Sequence, residues 1–296
     1  MVQYDMVDYT KEELKQLQDK SLEMARYFVE FCKQNDLLCY FCGGGCIGAI
    51  RHKGFIPWDD DLDFFMPRKD YEKLEKLWKE KADTKKYSIN RPSKELCDGN
   101  CMITIKDEET TFIKPYQQHM DISHGLPLDV FPLDGLPKSK IKRKMQLIYA
   151  MVYSLFVTQV VPSKHGEIMT LGCKILLGVF RTKQARYKIW KFCERRMSRF
   201  SMNDCEYTTE LCAGPHYMKK EYPTKCFKKA KWVQFEDTTM PIPVGYDRYL
   251  KTAFGDYMKL PPKEKQKAHH ECVFMDLNKS YKDVKGIYYY NKMRGK

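Results

Sequence analysis

Four aspartates fall within five residues at Asp59-Asp60-Asp61-Leu62-Asp63, behind a stretch that runs Gly43-Gly44-Gly45-Cys46-Ile47-Gly48 and then Arg51-His52-Lys53-Gly54. These residue types suit phosphate chemistry. Glycines between a strand and a helix let backbone N–H groups approach an anion closely, and a helix N-terminus adds favourable partial charge. Arg51, His52 and Lys53 add side-chain donors. The aspartates supply hard oxygen ligands for Mg2+, or Mn2+, ions that keep waters or substrate phosphates in their shells. In two-metal sites the ions sit about 3.5–4 Å apart and stabilise attacking and leaving oxygens together, which calls for carboxylates able to bridge. A Gly-rich turn alone is usually only a turn, and an Asp run alone is usually a solvated loop. Here four like charges repel, and Asp61 and Asp63 lie between bulky apolar residues that draw them inward, so a counter-cation is the simplest relief.

The flanking pattern predicts the elements that hold these groups. Thr10 and Glu13 form a capping box ahead of Leu14, Leu17, Met24, Phe28 and Phe31, which predicts an amphipathic helix ending near Asn35. LLCYF (37–41) reads as a buried strand, and a helix is expected to start between Gly45 and Gly48. If 61–65 is a strand, Asp61 and Asp63 point to one face with Cα atoms roughly 6.7 Å apart. Pro67 suits the first turn of a helix carrying Tyr71, Leu74 and Trp78 on one side. Strands are expected at Tyr87–Asn90, Met102–Lys106, Thr111–Lys114 and Leu126–Phe131. Later come WVQFE (232–236) as a strand, TMPIPVG as turns and a short helix over Tyr246–Phe254. The pattern is α/β (α+β), a small mixed sheet with flanking helices.

The 296 residues carry 52 basic and 39 acidic side chains, a net +13, and are 43% hydrophobic. That is too apolar for a disordered polycation. The chain opens without an apolar leader, and its twelve cysteines show no paired C-x-x-C spacing, so they read as core thiols in a reducing cytoplasm. Uncharged 145–162 falls short of a membrane span because Gln146, Tyr149, Tyr153 and Gln159 dilute it. Together with 168–180 and the flanking basic groups Lys138, Lys140, Lys142, Arg143, Lys144, Arg181, Lys183 and Arg186, it fits either a helical pair on an anionic membrane surface or a buried helical subdomain. The basic runs lack any nucleic-acid module, so nucleic acid is not an expected partner.

GGGCIGAIRHKGFIPWDDDLDFFMPRKDY resembles the signature segment of the LicD family, phosphocholine transferases related to fukutin-type proteins. The likeness continues through HGLPLDVFPLDGLP (124–137) and FEDTTMPIPVGYDRYLKTAFGDYMKLPP (235–262). It implies a nucleotidyltransferase-like fold in which Gly43, Gly44 and Gly45 face a nucleotide diphosphate and Asp61 and Asp63 hold a metal. A third acid on a later strand matches Asp129, as metal ligand or as general base toward an acceptor hydroxyl. Gly45 stands where such turns usually carry Ser or Thr, which removes one hydroxyl contact to phosphate. The family reaction moves a phospho-alcohol, commonly phosphocholine from CDP-choline or a related CDP-alcohol, onto a sugar hydroxyl of a surface glycan or its lipid-linked precursor. His269 and His270 are candidates to close over the site, and Trp58 either packs or faces a quaternary ammonium group.

On that footing the chain divides into an N-terminal helix (1–36), a catalytic core (37–137), an inserted helical region that could touch membrane (138–202), the C-terminal part of the family domain (203–270) and a basic, Tyr-rich tail (271–296) expected to be loosely held. The expected location is the cytoplasm, peripheral at the inner face of the membrane. Two other readings use the same residues. A glycosyltransferase could hold a metal and a nucleotide sugar on Asp61-x-Asp63, although the Gly-rich turn argues otherwise. A non-catalytic membrane-associated assembly protein would not need Gly44, Asp61, Asp63 and Asp129 intact.

Overall fold

The computed structural model describes residues 9–160, 167–268 and 272–290. The chain begins with α1 (Lys11–Gln34), capped by Thr10 and Glu13 as their spacing requires, with Leu17, Met24, Phe28 and Phe31 buried. It continues through β1 (Tyr40–Phe41), α2 (Gly43–Arg51), β2 (Asp63–Pro67), α3 (Arg68–Lys81), β3 (Tyr87–Asn90), β4 (Ile103–Asp107), β5 (Thr111–Ile113) and β6 (Leu126–Leu136). Three helices follow, α4 (Lys140–Thr158), α5 (Glu167–Val179) and α6 (Lys183–Met197), before β7 (Tyr207–Glu210) and β8 (Tyr222–Pro223). Last come β9 (Ala230–Phe235), β10 (Thr238–Pro243), α7 (Tyr246–Phe254) and β11 (Phe274–Asp276). This is a mixed α/β fold on a central mixed sheet.

That sheet runs β1-β2-β6-β4-β3, with β7 added on β6 and β8 on β7. β2 and β6 are parallel, and β4 lies antiparallel on β6. Alternation along β6 buries Leu126, Leu128 and Val130 and leaves Asp129 half-buried, so the strand delivers one carboxylate where its neighbours deliver core. The main core joins the sheet to α1, α2, α3 and α7, with Trp78 fully buried beneath Phe28 and Phe31 and donating to the Tyr87 carbonyl at 2.9 Å. The three helices inserted between β6 and β7 bring a second buried cluster, including Tyr153, Phe156, Trp190 and Met197.

Several expectations need correction. The helix begins at Gly43, with Cys42 as its cap, so the glycines form its first turn and do not precede it. The strand begins at Asp63, which leaves Asp61 in the preceding loop. TMPIPVG is largely strand, because β9 and β10 make a two-stranded ribbon whose edges tolerate Pro241 and Pro243. The tail is held through residue 290: β11 pairs with β5, and Tyr281, Val284 and Tyr289 pack on Ile113.

Within the insert, Arg143 is not a surface cation. Its guanidinium is buried and donates to the Met218 carbonyl at 2.5 Å and to Gln146 at 3.1 Å. Gln146 in turn donates to the carbonyls of Gly135 and Met197, both at 2.9 Å, tying the insert to the sheet. No helix among the described residues is long and apolar enough to cross a membrane. The helices are nevertheless two-faced. Inward they supply core, and outward they expose Ile141, Met145, Ile148 and Met151 on α4 and Leu171, Ile175 and Val179 on α5.

Candidate active site

Parallel pairing sets Asp63 directly beside Asp129, and antiparallel pairing sets Asp129 beside Thr104 and Thr104 beside Asn90. Neighbouring strands lie about 4.8 Å apart, so these side chains form one polar row across four strands. Asp61 joins from the loop. A small cavity of about 20 Å3 opens here, lined by Asp60, Asp61, Asp63 and Asp129, with Lys114 and Phe112 from the β5 side. It has room for an occupant of about one water's size. Asp59, Asp60 and Asp61 also bring ligand oxygens within 4.8 Å of one another.

Electrostatics at this row are unbalanced. Burial, followed by the charges of Asp61, Asp129 and Asp59, pushes the Asp63 carboxyl well above the usual carboxylate range. Burial alone would lower the Lys114 ammonium, but Asp129, Tyr116, Asp63 and Asp61 outweigh it and hold the lysine charged. Lys114 is the one cation lining the cavity among the described residues, beside the carboxyl groups of Asp60, Asp61, Asp63 and Asp129. All the ligands facing the cavity are hard oxygens, so the residues fit a divalent cation of the Mg2+ or Mn2+ type.

Behind the acids runs a second layer of hydrogen bonds. Thr104 donates to Asp129 Oδ1 at 2.5 Å, and the Asn100 amide donates to Thr104 at 3.3 Å and to Asp98 at 3.1 Å. Tyr116 donates to Asn100 at 3.1 Å, and Gln117 donates to the Asp98 carbonyl at 2.7 Å. Asp129 is thereby fixed through one oxygen. Buried Lys106 donates to the Ser123 carbonyl at 2.6 Å, and burial lowers it to about 8.

The glycine segment has a steric explanation. A Cβ on Gly44 would meet the Asp59 carboxylate at 2.0 Å, and one on Gly48 would meet the Gly54 carbonyl at 2.5 Å. These glycines let α2 lie against the aspartate loop. Gly43 has a φ of +49 and donates its N–H to Tyr249 at 3.0 Å, while Gly45 packs against Leu62 and Phe41.

The basic segment is spread more widely. Arg51 donates to the carbonyls of Tyr257 at 2.7 Å and Lys259 at 3.3 Å, while its guanidinium still feels Asp59. Burial, and then Arg51, lowers the His52 imidazole, whose ring meets Trp58 edge-on at 6.4 Å. Lys53 sits in a left-handed turn, its carbonyl accepting from Glu236 N–H at 2.8 Å and its side chain exposed. His269 and His270 lie outside the described residues. Lys114, Thr104 and Asn100 were not anticipated. For Lys114 the signal was present: a lysine closing the apolar run Thr111-Phe112-Ile113, where a strand end would carry it inward.

A helix opening on glycines lies beside β2, and acids stand in register on β2 and β6, the groups that phosphoryl chemistry calls for. Comparison with known proteins agrees. Residues 37–149 match the LicD/FKTN/FKRP nucleotidyltransferase domain, and the chain carries a LicD-family domain. Over 267 residues the chain is 26% identical to the lipopolysaccharide cholinephosphotransferase LicD of Haemophilus influenzae, an alignment covering 87% of this chain and 96% of that protein.

Proposed function

We propose that this protein transfers a phospho-alcohol, phosphocholine from CDP-choline, onto a hydroxyl of a cell-surface glycan or its lipid-linked precursor. The observation that carries the reading is the register of Asp63 with Asp129 around one cavity with Asp61 and Lys114, inside a domain matched to the LicD family. The acceptor oxygen attacks the phosphorus bearing choline, a new P–O bond forms, the P–O bond to CMP breaks, and CMP leaves. Asp129, anchored by Thr104 through Oδ1, takes the acceptor proton on its other oxygen. Lys114 and the first-turn N–H groups of Gly44 and Gly45 face the charge that moves onto the leaving CMP. With Asp129 kept as the base, Asp61 and Asp63 would hold Mg2+ or Mn2+, which when bound offsets the charge of the diphosphate.

The apolar outer faces of α4 and α5, bordered by exposed Lys140, Lys142, Lys144 and Lys174, support attachment at the inner face of an anionic membrane, where a lipid-linked acceptor would be presented. Incubation with CDP-choline, CDP-ribitol, CDP-glycerol and UDP-sugars, with and without Mg2+, tests the proposal. CMP release dependent on Asp63 and Mg2+ is the expected result. Release of UDP from a nucleotide sugar would replace it with the glycosyltransferase reading, and no turnover of any donor would leave an assembly protein.

A further inference from the structure

At the other end of β2 from Asp63 lies a much larger cleft, of about 1260 Å3. It is built where Pro67 ends the strand and α3 begins, and its far walls come from residues 198–207, from 223–228 and from α7. Besides Arg68, which Asp134 holds, five basic side chains line it: Lys69, Arg199, Lys225, Lys228 and Arg248. All five are exposed, and none has a carboxylate partner within salt-bridge distance among the described residues. The two acids on its wall are already engaged, Asp70 with Lys73 and Glu206 with Lys138. α3 begins here with no side-chain cap on its N-terminus, so its free N–H groups add to the positive field.

The rest of the lining decides which anion fits. Tyr207 offers a ring surface, the Arg199 guanidinium lies over the Phe200 ring at 4.6 Å, and Ser201 and Asn203 offer hydroxyl and amide groups. Rings for C–H faces, small polar groups for hydroxyls and cations for phosphates together suit a phosphorylated carbohydrate. A volume above the roughly 300–1000 Å3 of ordinary small-molecule sites has room for several sugar rings.

We propose that this cleft is a second binding site, separate from the aspartate cavity, for a phosphate-bearing stretch of oligosaccharide. Taken as the acceptor chain, that ligand rests on the transfer reaction proposed above; the cleft's affinity for a phosphorylated oligosaccharide does not. The cleft holds the acceptor by a segment remote from the hydroxyl that reacts, so it governs acceptor binding and leaves the donor alone.

The test is calorimetric titration of the full chain with pentamannose phosphate and with the same oligosaccharide after phosphatase treatment. Binding of the phosphorylated form is expected, equal in wild type and Asp63→Asn and weakened by about tenfold or more in Lys225→Glu/Lys228→Glu. The milder Lys225→Ala/Lys228→Ala should weaken it less, with an unchanged melting temperature in both double variants. CMP release from CDP-choline by the double variants should equal that of wild type. Equal binding of the two oligosaccharides, loss of binding in Asp63→Asn, or indifference to the lysine changes would each overturn the proposal. So would tighter binding of a single-stranded RNA through the same lysines. If wild type releases no CMP while the lysine-dependent binding stands, the transfer reading fails and the cleft survives it.

Discussion

Strand β6 carries two acids five residues apart, Asp129 and Asp134, and the chain treats them oppositely. Asp134 is fully buried and receives both arms of the Arg68 guanidinium, at 2.8 and 2.7 Å. Burial disfavours the arginine's charge, but Asp134 outweighs it and holds the guanidinium protonated. Asp129 is half-buried, faces Asp63 across the pairing, accepts from the Thr104 hydroxyl and feels Lys114 and Lys106, neither of which is its own salt-bridge partner. At one end of the strand the countercharge is built into the sequence. At the other no bidentate countercharge is built in, and on the function proposed here that is the carboxylate used for chemistry.

The largest expected effect comes from touching the incomplete end. Asp63→Asn or Asp129→Asn should lower transfer by about 10^3-fold, near 4 kcal/mol of barrier. Relief of repulsion should keep the melting temperature level or raise it. Turnover near wild type at millimolar Mg2+ would remove the metal assignment. The complete end should respond the other way: Arg68→Ala leaves Asp134 buried without its partner and should cost about 3–5 kcal/mol of stability in urea titrations. Replacing both, as Arg68→Met/Asp134→Leu, should recover most of that loss. A single variant no less stable than wild type would show that the pair is not a structural closure.

A third acid sharpens the contrast, since burial outweighs the one lysine, Lys220, that acts on it. Glu210, buried on β7 with Tyr222 donating to it, is raised by burial to about 8. Its folded-state pKa lies above its unfolded value of 4.5, so the folded state binds the extra proton. The associated stability is full below 4.5 and is lost as pH climbs toward 8. Glu210→Gln should flatten that decline, seen as urea midpoints at about pH 5 and pH 8 that draw closer together; an unchanged gap would mean that another group titrates.

The smallest effect concerns the insert. Lys140, Lys142 and Lys144→Glu, with Arg143 untouched, should reduce flotation with anionic vesicles several-fold at low salt, each lysine near the surface contributing about 1 kcal/mol before screening. Flotation that neither charge nor salt changes would return α4 and α5 to an ordinary protein surface. Arg143→Glu belongs to a different experiment, because it breaks the contact with Met218.

Much of this contrast was legible in the residue order. The acids at 61, 63 and 129 stood out because carboxylates are uncommon inside apolar runs, and Thr10-x-x-Glu13, Tyr71, Leu74 and Trp78 announced their helices by period. What the order could not show was register. Pairing of Asp63 with Asp129, or of Asp129 with Thr104, is a property of two strands at once, and Lys114, which lines the cavity, and Asn100, which bonds to Thr104, reach the same row from outside the strands. Arg143 misled for a related reason: within Lys140-Ile141-Lys142-Arg143-Lys144 it looks like its neighbours, and only the helix's rotation against Met218 turns it inward.

The insertion of α4, α5 and α6 between β6 and β7 also has a kinetic consequence. Thr208 bonds to the Asp134 carbonyl across 74 positions of sequence, so the sheet's β7 edge cannot close until the intervening chain is compact. The insert's contacts are mostly local to α4 and α6, and it has its own buried cluster. Helices of this kind form before distant strand pairs, so the excursion acts as a folding spacer that brings β7 back to β6. Native-state hydrogen exchange should then show β7 amides opening ahead of those of α4 and α6.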